Sequence, residues 1–194
     1  DEYGYVYGHI PATPGYENCT AIGFLAHMDT APDYSGENVN PQIIENYDGK
    51  DVVLGTSGRT LTVKDFPSLK IMTGKTLITT DGTTLLGADD KAGIAEIMTV
   101  AEKLLKGDVP HGKVCLAFTT DEEVGSGACH MDLERFGAPY AYTVDGGPEG
   151  EIQFENFNAA SAEFAIHGVN VHPGEAKDIM VNSMKIAMEL QGML

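Results

Sequence analysis

His27 and Asp29 stand one residue apart, and positions 89–90, 122–123 and 145 add five further carboxylates. On an extended segment, His-x-Asp puts both side chains on one face at a Cα separation of roughly 6.6 Å, because strand side chains alternate with period two. The Asp can then accept the second ring N–H of a metal-bound His, which fixes the tautomer and raises ligand basicity. Carboxylates gathered together repel and raise one another's pKa, and divalent cations remove that cost. Each residue also has an ordinary reading: a surface imidazole for His27, a solvated turn for Glu122-Glu123, a helix N-cap for Asp89, a turn residue before Gly146-Gly147 for Asp145. Their shared placement in the chain is what points to a cation site.

That placement follows from the elements. Residues 21–26, 113–120 and 140–144 are continuous apolar runs suited to strands buried on both faces, as in a parallel sheet. From Lys91, the residues Ile94, Ile97, Met98, Ala101, Leu104 and Leu105 form one helical stripe that Gly107 closes before Pro110. A short helix is expected near 131–136, a tight hairpin around Asp81-Gly82 within 76–87, and loops with small strands over 32–75. Residues 1–10 alternate like a strand with no preceding element to pair with, so the chain reads as beginning mid-domain. Strand and helix alternate, giving an α/β fold with a mixed, mostly parallel sheet and flanking helices. In such sheets ligands bind beyond the carboxyl ends of the strands, where His27, Asp29, Asp121 to Glu123 and Asp145 all fall, and the 76–87 hairpin delivers Asp89 and Asp90 to a helix start. After residue 150 a half-buried strand is expected at 161–167 and a helix over 178–190, read as the start of a second domain of α+β type. The expected division is 1–157 and 158–194.

Composition narrows the partners. The 194 residues carry 12 Lys+Arg against 29 Asp+Glu, a formal net charge of −17, and no basic cluster interrupts the acidity. Such a surface repels phosphate backbones and anionic lipids, which argues against nucleic acid and membranes and leaves small solutes and cations. The longest clean apolar run, 21–26, is far below the ~20 residues needed to cross a bilayer. Three cysteines without CxxC spacing suit free thiols and a cytoplasmic location. Other motifs fail: Gly74-Lys75-Thr76 has Leu69 where a phosphate loop needs glycine, Gly125-Ser126-Gly127 lacks the third glycine of a dinucleotide fingerprint, and HExxH and GxSxG do not occur. His9, His111, His130 and His167 lack partner spacing and read as surface or structural.

His27-Met-Asp-Thr30, Leu86-Gly-Ala-Asp-Asp-Lys-Ala-Gly93, Glu122-Glu-Val-Gly125, Thr143-Val-Asp-Gly-Gly-Pro148 and Val169-Asn-Val-His-Pro-Gly174 occur in that order. Together they resemble the co-catalytic zinc exopeptidases, the family that holds carboxypeptidase G, aminoacylase and succinyl-diaminopimelate desuccinylase. The last two motifs are similar to its tripeptide aminopeptidases. The resemblance implies two zinc ions per complete site, with manganese or cobalt as substitutes. His27 and Asp145 would hold one, Glu123 the other, and Asp89 would bridge them. Asp29 would orient His27, and Glu122 would be the general base that takes a proton from the attacking water and passes it to the leaving amine. His172 would help hold substrate from a lid domain that also forms a homodimer.

The implied activity is release of the N-terminal residue of tripeptides. The alternatives are a dipeptidase or N-acyl amino-acid deacylase of the same family, and a non-catalytic metal- or ligand-binding relative. The family supplies a last zinc-binding histidine after the lid, which this chain lacks, so the chain is expected to be an incomplete enzyme that binds one zinc and has little activity alone.

Overall fold

Val114–Thr119 is buried almost throughout, with Cys115 and Ala117 fully shielded, because its apolar residues have a covering layer on each face. The computed structural model describes residues 1–107 and 109–194 and divides them into two compact units, Asp1–Ile152 and Gln153–Leu194. In chain order the first unit holds β1 (Val6–Ile10), β2 (Ile22–His27), β3 (Pro41–Ile44), β4 (Val52–Val53), β5 (Thr60–Leu61), β6 (Leu77–Thr80), α1 (Ala88–Leu105), β7 (Val114–Thr119), α2 (Leu133–Phe136) and β8 (Tyr140–Thr143). The fold is mixed α/β.

The main sheet runs β1-β7-β2-β8. β2 is parallel to both β7 and β8, and β1 is antiparallel to β7. The strand expected near the N-terminus thus finds its partner more than a hundred residues later, with Val6 opposite Phe118. On one face the α1 stripe places Ile97 and Ala101 in a core with Ile10, Ala26, Val114 and Leu116. On the other, Phe136 of α2 closes over Cys115 and Ala117. β8 corrects one expectation: all four of its residues are exposed, because it is an edge strand, paired on the β2 side alone.

Between β2 and α1 lies an excursion with its own core of Tyr47, Val52, Leu54 and Leu69. The hairpin expected around Asp81-Gly82 does not form. β6 pairs instead with the distant β3, and the Asp81 carboxylate accepts the Thr83 N–H and hydroxyl and the Asn40 amide, which locks the turn locally without a returning strand. In the second unit no regular strand forms over 161–167, and the extended contact is a single Val169–Val181 bridge. Its helix, α3 (Ser183–Gln191), starts later than 178 because the Asn182 side chain caps it by accepting the Met184 N–H. Among the described residues no helix is long and apolar enough to cross a membrane.

Candidate metal centre

Strand register brings the acidic segments together. In the sheet His27 lies opposite Thr119, and Leu25 opposite Thr143, so β2 and β7 end level, the parallel β8 ends two residues earlier, and the segments after all three leave from one edge. His27 closes β2 and is only 2% exposed. Its Nε2 lies 2.8 Å from Asp89 Oδ1 and 3.8 Å from both Glu122 Oε2 and Asp145 Oδ2. Four of the predicted residues therefore meet at one imidazole nitrogen.

Asp89 can face His27 because it does not cap the helix. Asp89 and Asp90 both have non-helical backbone angles, and it is Asp90 Oδ1 that accepts the Gly93 N–H at 3.2 Å, the cap pattern of a side chain bonding three residues on. Asp90 Oδ2 accepts the His27 backbone N–H, also at 3.2 Å. Asp90, 3% exposed, thus ties the first true turn of α1 to the end of β2. The sequence reading placed Asp90 at the helix start but missed this role, although the Asp-x-x-Gly spacing ahead of the helical stripe was a usable sign. Gly93 completes the junction: a Cβ there would meet the Val144 carbonyl oxygen at 1.9 Å, so only glycine lets α1 approach the segment that carries Asp145.

Asp29 reaches three residues. The His27 Nδ1 lies 3.1 Å from the Asp29 carbonyl oxygen and 3.3 Å from its Oδ1. The carboxylate also accepts the backbone N–H groups of Glu122, at 3.3 Å, and Glu123, at 3.1 Å. These bonds hold the Asp29 carboxyl below its usual range even though burial pushes the other way. Glu123 is fixed through its backbone, and its carboxylate lies outside the tight ligand group. His172 belongs to the second unit, where its Nδ1 accepts the Gly174 N–H at 3.2 Å and caps a short turn at Pro173–Glu175.

The electrostatics carry the mark of crowded negative charge. Burial, then the charges of Asp90 and Asp89, push Asp145 up to about 6 against the pull of His27. Burial likewise raises Asp90. For His27 burial opposes the charged ring, but the Asp89 hydrogen bond and the charges of Asp145 and Asp29 prevail and raise its pKa. Among the described residues, every ion pair made by Asp89, Glu122 and Asp145 is to His27. One imidazole and two carboxylates, from His27, Asp89 and Asp145, offer ligand atoms all within 4.8 Å of one another. This donor set fits a divalent cation of the zinc type, with nitrogen and oxygen ligands.

A family model described as M42 glutamyl aminopeptidase matches residues 71–189. The chain is 59% identical to peptidase T of Aliivibrio fischeri and 60% identical to peptidase T of Halothermothrix orenii, in each case over 100% of its own length. It covers 47% and 48% of those proteins, so it spans about half the length of the curated relatives it matches. Among solved structures, aminopeptidase PepT from Bacillus cereus is similar over 97% of this chain and 42% of that one, with a TM-score of 0.58 and 26% identity. The family match takes in Asp89, Glu122, Glu123, Asp145 and His172, and the chain belongs to the M42 glutamyl aminopeptidase family.

Proposed function

We propose that the whole protein carrying this chain is a metal-dependent aminopeptidase that releases the N-terminal residue of tripeptides. The observation that supports this most is the convergence of His27, Asp89 and Asp145, within 4.8 Å of one another, in a chain 59% identical to a peptidase T. His27, Asp89 and Asp145 would hold one zinc, and Glu123, with Asp89, would hold a second. When bound, the metals supply Lewis acidity and lower the pKa of water to about 7. Glu122, half exposed and 3.8 Å from the His27 Nε2, takes the proton of the attacking water and returns it to the leaving amine. Asp29 and Asp90 hold the backbones of Glu122, Glu123 and His27 in place. A carboxylate of the site receives the substrate's free ammonium. Residues 158–194 begin a lid and dimerisation domain, and His172 is a substrate-binding residue of the whole protein. Three free cysteines suit a cytoplasmic protein.

The test is hydrolysis of tripeptides, dipeptides and N-acylated peptides by the whole protein loaded with zinc, manganese or cobalt. Free tripeptides are expected to turn over fastest, and Glu122→Gln to lose about 10²-fold or more in kcat. No hydrolysis with any metal, or equal rates for acylated substrates, contradicts the reading.

A further inference from the structure

Tyr5 is 2% exposed, and its hydroxyl donates to the Gly127 carbonyl oxygen at 2.9 Å, across more than a hundred residues of sequence. The loop it reaches is the one that carries Glu122. Gly125 N–H bonds back to the Glu122 carbonyl and Ser126 N–H to that of Asp121, both at 2.8 Å, so the chain doubles over on itself. The fold brings Gly127 against Glu122: a Cβ at 127 would meet the Glu122 Cα at 2.8 Å and its nitrogen at 3.2 Å. Wherever Gly127 is held, the Glu122 backbone is held with it. The N-terminal segment is anchored beside this loop in its own right. β1 continues the register of β7, the Thr120 hydroxyl donates to the Tyr3 carbonyl at 3.1 Å, and the Tyr3 ring stacks on His130 at 4.0 Å.

We propose that Tyr5 is a positioning residue for Glu122, holding the 122–127 loop through the Gly127 carbonyl while Asp29 holds the same loop through the N–H groups of Glu122 and Glu123. The proposal rests on Glu122 being the general base. A base displaced by a fraction of an ångström loses rate with little change in substrate binding, because only proton transfer needs the exact geometry. A buried tyrosine with a satisfied hydroxyl but no link to the base contributes only stability.

Tyr5→Phe keeps the ring and removes the donor, and it is measured in the whole metal-loaded protein. The expected result is a loss of about tenfold in kcat with KM and zinc affinity within about twofold of the unsubstituted protein, and faster amide hydrogen exchange across 121–127. Gly127→Ala, which pushes on Glu122 directly, is expected to give the same split and serves if Tyr5→Phe folds poorly. An unchanged kcat in Tyr5→Phe, with or without a lower melting temperature, overturns the proposal. A parallel loss of zinc affinity overturns it too, since that marks general damage to the site. Should Glu122→Gln be as active as the unsubstituted protein, it is the catalytic reading that fails; should Glu122→Gln be inactive and Tyr5→Phe normal, only the role of Tyr5 fails.

Discussion

Asp90 Oδ2 sits 3.2 Å from the backbone nitrogen of His27, while the other oxygen of the same carboxylate caps α1 through Gly93. One buried side chain thereby joins the strand end that carries the imidazole to the helix start that carries Asp89. Asp90→Ala leaves the buried His27 N–H without a partner and removes a cap, a loss of about 1–3 kcal/mol from the first effect alone. Urea unfolding should show it in the metal-free protein, whereas Asp89→Ala, 71% exposed at the side chain, should leave metal-free stability nearly unchanged. Equal stability for the two variants contradicts this division of labour.

Gly93→Ala sets two effects against each other. In a helix interior alanine is favoured over glycine by about 1 kcal/mol. The added Cβ meets the Val144 carbonyl at 1.9 Å, and backbone cannot swing aside, so overpacking of about 1–3 kcal/mol or more wins. Thermal unfolding is expected to show destabilisation; a stabilised variant refutes the tight α1–β8 junction.

Protonation gives a sign that can be checked. Asp145 and His27 both bind protons more tightly folded than unfolded, with Asp145 at about 6. Each therefore keeps a proton in the metal-free folded chain that it gives up when unfolded, Asp145 over about pH 4 to 6 and His27 above its ordinary range near 6.5, and these two groups lose stabilising effect as pH rises. Asp29 is shifted down, so its contribution is lost only below about pH 4. The melting temperature in chelator should fall as pH rises from about 5 through 6, and Asp145→Asn should flatten that slope. An unaltered slope in Asp145→Asn counts against the assignment. Metal competes with those same protons, so zinc affinity should weaken below about pH 6.

The strands that carry the site were legible where burial alone decides structure. The buried runs read at 21–26 and 113–120 lie where β2 (Ile22–His27) and β7 (Val114–Thr119) form, and the α1 stripe was plain from Ile94 to Leu105. Long-range pairing was not legible: β1 waits for β7, and β6 takes β3 in preference to the hairpin that Asp81-Gly82 signals locally. The alternation over 161–167 was not enough to make a strand without a pairing neighbour. His27, Asp29, Glu122 and Asp145 were chosen for residue type after strand ends and Asp89 at a helix start, and the geometry brings them together. The parts played by Asp90 and Tyr5 escaped notice because they are played through backbone atoms, which residue types do not advertise.

The most direct test of the centre is calorimetric titration of zinc into the metal-free whole protein and its His27→Ala, Asp89→Ala and Asp145→Ala variants. Each substitution is expected to weaken binding by about tenfold or more, with His27→Ala the most severe, since the ligand atoms of the three residues lie within 4.8 Å of one another. Zinc affinity that is unchanged in all three variants, or absent in the unsubstituted protein, contradicts the assignment of His27, Asp89 and Asp145 as a metal site.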